Sequence, residues 1–314
     1  MITVKWQGVY PALLTPFTKE GTIDFDMFEK NILAQIAAGI DGAVLGGSLG
    51  EASTLTKEEI KALTIFAKKI VGNEFPIIVN IAEQATAEAV KAAVEAGKNG
   101  ADGLMLLPPM RYKADEHETV EYFKAIASST SLPIMIYNNP YDYKIEVTLD
   151  MFEQLKSLPT VQAVKESTRD VSNVTRLINR FGDRFKILCG VDTLALEELA
   201  LGADGWVGGL VDAFPAETVA IYRLMKADRY NEALKIYRWF LPVLELDLHP
   251  KLVQYIKLAA TQTGIGSEYV RAPRLMLQSS ERAKILQIIA DTIKTRPLLP
   301  DYQKIQLPED VERV

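Results

Sequence analysis

Lys165 ends a short apolar segment, VQAVKEST (residues 161–168), and is the candidate nucleophile of this sequence. The apolar residues Val161, Ala163 and Val164 predict a strand that is buried on both faces. Burial disfavours the ammonium form of a lysine, so a lysine at such a strand end either reaches solvent or is held neutral. A neutral amine is a nucleophile toward carbonyl carbon. The rest of the sequence decides between these two interpretations.

Two further segments carry groups that could assist a nucleophilic lysine. In GGSLGEAS (residues 46–53), the glycines allow a tight turn that presents backbone N–H groups and the Ser48 hydroxyl to an anion such as a carboxylate. Glycines are also common in such turns for steric reasons alone. The second segment, YNNP, places Tyr137 at the end of another apolar run, where its hydroxyl could transfer protons or only pack.

Eight short apolar segments, separated by amphipathic helical patterns, must position these groups. Continuous apolar strands that alternate with helices indicate a parallel sheet covered by helices, and eight repeats predict a closed (β/α)₈ TIM barrel. A doubly wound sheet is the alternative, but no GxGxxG turn follows the first strand. In a barrel, the fifth and sixth strands would bring Tyr137 and Lys165 close together at the C-terminal ends of the strands. The predicted strands cover residues 8–17, 41–48, 76–83, 101–109, 132–140, 160–167, 185–192 and 203–210.

The remainder of the chain predicts helices and then a tail. We expect residues 1–225 to form the barrel and residues 226–296 to form an appended C-terminal helical layer, packed on the barrel or on a neighbouring subunit. Residues 297–314 are proline-rich and charged, which is typical of an irregular tail.

Composition argues against several classes of protein. The 35 basic and 41 acidic residues give a net charge of −6, which disfavours nucleic acid as a partner. Cys189 is the only cysteine, and His117 and His249 are the only histidines, so the sequence predicts no disulfide and no metal site. No segment has about 18 uninterrupted apolar residues. We therefore expect a cytoplasmic protein without a membrane partner.

The motifs GGSLGE, YNNP and AVKES, in this order and at this spacing, resemble the dihydrodipicolinate synthase and N-acetylneuraminate lyase superfamily over about residues 5–295. In that family a lysine of the sixth strand forms a Schiff base with a 2-oxo acid, usually pyruvate, and the resemblance implies that this residue is Lys165. It also implies that Gly47, Ser48 and Leu49 bind the carboxylate and that Tyr137 transfers protons. The family fold is the (β/α)₈ barrel, commonly as a homodimer or homotetramer. The iminium itself withdraws electrons, so no metal or other cofactor is expected.

The sequence departs from the synthases of this family at three places. Asp142 stands where they have an arginine for the carboxylate of the second substrate, and an aspartate would repel that group. Ser48 and Leu49 replace two threonines. Either Arg111 or Tyr112 takes the place of a tyrosine pair after the fourth strand, and the spacing leaves open which one faces the site. These departures disfavour a role in lysine biosynthesis.

The segments YNNP, GADGWVGGLVDAFPAE and LDLHPKLVQYIKLAATQTG resemble the branch that deaminates 1-pyrroline-4-hydroxy-2-carboxylate to 2-oxoglutarate semialdehyde. A pyruvate-dependent aldolase for a 2-keto-3-deoxy sugar acid or sialic acid is an alternative, as is a dihydrodipicolinate synthase. An alternative of another class is a non-catalytic sensor of a 2-oxo acid.

The predicted site has two parts. We assign catalysis to Lys165, Tyr137 and Ser48 and expect a small 2-oxo or 2-imino acid as the ligand. We assign substrate binding to Gly47, Leu49, Arg111, Tyr112, Asp142, Gly190 and Val207.

Overall fold

Eight parallel strands form a nearly closed barrel in the computed structural model, which describes residues 3–307. Each strand pairs with its neighbour in the order β1-β8-β7-β6-β5-β4-β3-β2. A bridge between Ala12 and Val44 joins β1 to β2, and the Leu13 N–H donates to the Val44 carbonyl at 2.9 Å. The predicted TIM barrel is thereby confirmed. The strands are β1 (Gly8–Pro11), β2 (Ala43–Leu45), β3 (Ile77–Ile81), β4 (Gly103–Leu106), β5 (Ile134–Asn138), β6 (Val161–Glu166), β7 (Lys186–Cys189) and β8 (Gly205–Gly208).

Helices follow the strands and surround the barrel. Asp24 and Thr56 cap the first two long helices with their side chains, and Thr56 forms a capping box with Glu59. The helices up to residue 226 are α1 (Phe25–Ala38), α2 (Lys57–Val71), α3 (Thr86–Lys98), α4 (Glu116–Ala127), the short α5 (Pro140–Tyr143), α6 (Leu149–Leu155), α7 (Ser172–Phe181), α8 (Ala195–Ala200) and α9 (Pro215–Lys226).

The strands are apolar on both faces because each face meets a different part of the core. Met105 and Met135 belong to a cluster that also includes residues of the C-terminal helices. Their neighbours Leu104 and Ile134 belong to a second cluster with α3, α4 and α6. This double burial explains why the strands read as continuous apolar runs in the sequence.

Three more helices, α10 (Tyr230–Leu244), α11 (Leu252–Gln262) and α12 (Ser279–Lys294), form what we call the C-terminal layer, residues 230–294. Phe240 of α10 packs against Phe214, just before α9, with ring centroids 5.3 Å apart. A short turn, residues 245–248, joins α10 to α11.

The expected tail is only partly covered by the described residues. Its residues 308–314 lie outside them. Within the described part, the Gln303 side chain donates to the Ala37 carbonyl at the end of α1 at 2.8 Å. Among residues 3–307, no helix is both long enough and apolar enough to cross a membrane. The domain boundaries near residues 225 and 296 stay predictions.

Candidate functional site

Lys165 and Tyr137 lie side by side at the C-terminal ends of adjacent strands. The register of β5 and β6 pairs Tyr137 with Lys165, and the Lys165 Nζ lies 4.2 Å from the centre of the tyrosine ring. Both side chains are buried, with 6% and 8% of Lys165 and Tyr137 exposed. The structure therefore brings together the candidate nucleophile and the candidate proton donor.

Burial lowers the pKa of Lys165, while Tyr143, Asp247 and Asp192 act in the opposite direction. A lowered pKa raises the fraction of neutral amine, which is the nucleophilic form. Gly190 makes room for this side chain and for Ser167, because a Cβ at residue 190 would come within 2.7 Å of the Lys165 Cγ and Cε and 2.1 Å of the Ser167 Oγ. The absence of a side chain at Gly190 therefore leaves the space that the Lys165 side chain occupies.

The Tyr137 hydroxyl is held in a network of polar groups. Burial raises its pKa to about 12, so it stays protonated at neutral pH. The Asn139 side-chain amide donates to the Tyr137 hydroxyl at 3.1 Å and to the Asp142 carboxylate at 2.8 Å. The Tyr143 ring meets the Tyr137 ring edge to face at 5.5 Å, and its hydroxyl hydrogen-bonds to Ser48 at 2.5 Å.

The loop of residues 46–51 follows β2 and forms one wall of the site. Gly46 has a left-handed φ of 65°, and its carbonyl accepts from the Asn80 side chain at 2.9 Å. A side chain at Gly50 would come within 2.8 Å of the Leu13 carbonyl oxygen. Both glycines are therefore required by the backbone path, which brings Gly47 and Ser48 to the cavity.

A cavity of about 80 Å³ lies between these groups, and its small volume suits a small ligand. Eight of the ten residues predicted for the site line it: Gly47, Ser48, Leu49, Tyr137, Asp142, Lys165, Gly190 and Val207. Arg111 and Tyr112 do not. The Arg111 backbone N–H donates to the Gln84 side chain at 2.6 Å, and 57% of Tyr112 is exposed. The structure therefore does not bring these two residues to the cavity.

Two carboxyl groups near Lys165 escaped prediction. Asp192, which is buried, accepts hydrogen bonds from the Trp206 side chain at 2.9 Å and from the Leu210 N–H at 2.7 Å. Asp247, in the turn between α10 and α11, lines the cavity from the C-terminal layer. Burial, together with the charge of Asp192, raises the pKa of Asp247 to about 8. At neutral pH this carboxyl group therefore carries a proton that it can donate.

Arg169 was also missed by sequence reasoning. It lines the cavity near its mouth, with a left-handed φ of 63°, and its guanidinium carbon lies 3.4 Å above the Tyr141 ring. It follows Lys165 by four residues, so its position in the turn after the sixth strand could have identified it as a candidate site residue. Asp247 gave no such signal, because its approach depends on how α10 and α11 fold back over the barrel.

The arrangement can form and dehydrate a carbinolamine. Lys165 supplies an amine with a lowered pKa, the Tyr137 side chain lies beside it and carries a protonated hydroxyl, and the loop of residues 46–51 offers N–H groups to a carboxylate.

The similarity to known proteins extends over nearly the whole chain. Residues 5–292 match the family model described as the dihydrodipicolinate synthetase family. The 4-hydroxy-tetrahydrodipicolinate synthase of Exiguobacterium sibiricum is 34% identical over 281 residues, which cover 88% of this chain and 94% of the relative.

Solved structures show the same similarity. The dihydrodipicolinate synthase DapA-2 of Bacillus anthracis has a TM-score of 0.89 at 28% identity, and the match covers 94% of this chain and all of that one. The chloride-inhibited dihydrodipicolinate synthase of Acinetobacter baumannii, solved with pyruvate, has a TM-score of 0.86 at 26% identity, with 92% and 99% covered. The three motifs noted in the sequence therefore belong to a similarity that extends over the complete barrel.

Proposed function

Because the chain belongs to the dihydrodipicolinate synthetase family and is a Schiff-base lyase, we propose that Lys165 is its Schiff-base lysine and that it acts on a small 2-oxo or 2-imino acid. The observation that carries this proposal is the buried Lys165 beside the Tyr137 ring, in a cavity that also contains the loop of residues 46–51.

The proposed first steps follow from the positions of these groups. The neutral Lys165 amine adds to the C2 carbon of the substrate, and the N–H groups of residues 47–49 hold its carboxylate. For a 2-oxo acid, Tyr137 protonates the C2 hydroxyl of the carbinolamine, which leaves as water and gives the iminium. The iminium then accepts the electron pair of a neighbouring C–H or C–C bond.

The Asp142 carboxylate in the cavity lining favours a substrate without a second negative charge. Asp142 and Asp247 both line the cavity, and each can accept a hydrogen bond from a hydroxyl or a ring nitrogen. We therefore favour 1-pyrroline-4-hydroxy-2-carboxylate as the substrate. Attack of Lys165 on the ring imine carbon opens the ring, the 4-hydroxyl leaves as water, and two hydrolyses release ammonia and 2-oxoglutarate semialdehyde. One water is consumed overall.

A 4-hydroxy-tetrahydrodipicolinate synthase is the second candidate. Its support is the activity for which the relative from Exiguobacterium sibiricum is named, together with Arg169 at the cavity mouth. A guanidinium there could bind a second carboxylate in place of the arginine that Asp142 replaces. A pyruvate-dependent aldolase for sugar acids shares the first steps but lacks a specific observation in its favour.

Borohydride trapping tests the proposed nucleophile. We expect pyruvate or substrate, followed by borohydride, to leave one covalent adduct, which peptide mass mapping places on Lys165. Lys165→Ala should lose both the adduct and the turnover. Lys226→Ala is the matched control, because burial also lowers the pKa of Lys226 to about 8 but its Nζ donates to the Ala203 carbonyl, away from the cavity. An adduct that persists in Lys165→Ala, or turnover near that of the parent protein, would contradict the assignment. No adduct with any 2-oxo acid would instead favour the sensor.

A substrate panel distinguishes the finer candidates. It compares hydroxypyrroline carboxylate, pyruvate with aspartate semialdehyde, keto-deoxy sugar acids and sialic acid. We expect the highest kcat/KM for hydroxypyrroline carboxylate. Efficient condensation of pyruvate with aspartate semialdehyde would replace the favoured substrate by the second candidate.

We also propose that the chain forms a homodimer or homotetramer. The C-terminal layer supports this, because Leu275 and Met276 expose 73% and 43% of their surface. Light scattering at micromolar concentration should give twice or four times the mass of the chain, and a mass of one chain would contradict the proposal.

A further inference from the structure

A buried ion pair joins the loop of residues 46–51 to the C-terminal layer. The Glu51 Oε1 and the Lys257 Nζ are 2.5 Å apart, and at most 1% of either side chain is exposed. Glu51 ends the loop and Lys257 lies on α11, 206 residues later in the chain. The contact therefore links two parts of the molecule that are remote in sequence.

The conformation of the loop depends on where the Glu51 side chain is held. Glu51 has a left-handed φ of 59°, which is unfavourable for a side chain that is not glycine. Its N–H donates to the Ser48 carbonyl at 3.2 Å, and the next N–H, that of Ala52, donates to the Gly47 carbonyl at 3.2 Å. Gly47, Ser48 and Leu49 lie within this turn, so a movement of Glu51 would change the direction of their N–H groups.

The C-terminal layer holds the Glu51 carboxylate from several sides. The second oxygen accepts the Arg271 backbone N–H at 3.2 Å and lies 3.6 Å from the Arg274 guanidinium. Lys257 in turn donates to the Tyr269 carbonyl at 2.7 Å and lies 4.5 Å from the centre of the Phe17 ring. Both charged groups therefore have hydrogen-bond partners in addition to each other.

Stability alone does not account for such a pair. Removing two charges from water costs so much that apolar residues of similar volume are often as stabilising as a buried ion pair. The surrounding face of α11 is already apolar, with Val253, Ile256 and Ala260 buried. The ion pair instead fixes the distance and orientation of the loop end, at Glu51, relative to α11.

We propose that Glu51 and Lys257 are positioning residues that hold the N–H groups of residues 47–49 in the geometry that binds the substrate carboxylate. The C-terminal layer then determines the affinity of the site for 2-oxo acids, although Lys257 itself does not line the cavity. This inference rests on the proposed Schiff-base function, because that function assigns the carboxylate to the loop.

The pKa of Lys257 provides a test that a purely structural role would not meet. Burial lowers it to about 8, against the opposing effect of Glu51, and Arg271 and Arg274 lower it further. These three side chains are the charged groups that face Lys257. As the pH rises from 7 to 9, Lys257 loses its charge, the ion pair disappears, and the loop loses its fixed position.

The experiment measures the pyruvate concentration that gives half of the maximal borohydride-trapped adduct. At pH 7, Glu51→Gln and Lys257→Met should each raise this concentration by about 10- to 100-fold, by analogy with the loss found when the hydrogen-bond partner that orients a metal ligand is removed. The adduct formed at saturating pyruvate should stay within threefold of that of the parent protein. Lys68→Met is the matched control, because it removes another largely buried ion pair, with Asp102, far from the loop.

The pH dependence completes the test. The difference in half-saturating concentration between the parent protein and Lys257→Met should shrink as the pH rises from 7 to 9. Folded variants that bind pyruvate like the parent, or a difference that stays constant over this range, would overturn the inference. If Lys257→Met fails to fold, the nearly isosteric Glu51→Gln still decides it at pH 7. A parent protein that forms no adduct at all would refute the proposed function instead.

Discussion

Replacing Gly190 with alanine should disable the site by displacing its lysine. The added Cβ would lie 2.1 Å from the Ser167 Oγ and 2.7 Å from the Lys165 Cγ and Cε, whereas ordinary carbon contacts are about 3.5–4.0 Å. The Ser167 hydroxyl must therefore move aside, and the lysine must move by about 0.8 Å or more to restore normal contact. A misplacement of about 1 Å at a reacting group can cost about 10²-fold in rate. We expect the rate of adduct formation with pyruvate to fall by about this factor, with a loss of about 1–3 kcal/mol in the free energy of unfolding from overpacking.

Stopped-time borohydride trapping gives the rate, and urea unfolding gives the stability. Gly97→Ala in α3 is the matched control, because its added Cβ meets only the Leu132 side chain at an ordinary 3.5 Å. That variant should keep the parent rate and gain about 0.5–1 kcal/mol from its helical position. A Gly190→Ala variant that forms the adduct within threefold of the parent rate would show that the lysine does not need this space.

Three further predictions concern the polar groups of the cavity. Tyr137→Phe removes one hydroxyl, so substrate affinity should survive while kcat falls by about 10²–10⁴-fold; a rate within twofold of the parent would assign the residue to packing. Asp142→Ala should weaken turnover of hydroxypyrroline carboxylate, and Asp142→Arg should slightly raise the condensation of pyruvate with aspartate semialdehyde. An unchanged substrate profile in both would restrict Asp142 to its hydrogen bond with Asn139. The pKa of Asp247 is about 8 in the folded protein and about 3.9 in the unfolded chain. Between these two pH values the folded state holds a proton on Asp247 that the unfolded state has lost, so the free energy of unfolding decreases as the pH rises toward 8. Asp247→Asn should remove this dependence, so that its melting temperature rises relative to the parent more at pH 8 than at pH 5; equal differences at both pH values would contradict the assignment.

The barrel could be predicted from the sequence because its strands are buried on both faces. Each of the eight apolar runs contains one observed strand, although the strands themselves are shorter, since the ends of the runs form the turns that carry the site. The register that pairs Tyr137 with Lys165 also follows from the order of the strands, because adjacent parallel strands end at the same edge.

The contribution of the C-terminal layer and the placement of the turn after β4 could not be predicted, for two physical reasons. Asp247 and Lys257 reach the barrel through the path of the C-terminal layer, and apolar helical spacing predicts a helix without saying where it will pack. Arg111 and Tyr112 follow a strand end, as site residues do, but the direction of an exposed turn depends on local contacts such as that between the Arg111 N–H and Gln84.

The order in which the chain is synthesised gives the C-terminal layer a second consequence. Lys165 leaves the ribosome well before Asp247, Leu248 and Leu252, the residues of the layer that line the cavity. Until they are made and folded, the cavity lacks these lining residues, and Lys165 is less buried than in the complete chain. Because burial lowers the pKa of Lys165, the neutral and nucleophilic form of the amine is fully favoured only after the last helices have folded over the barrel.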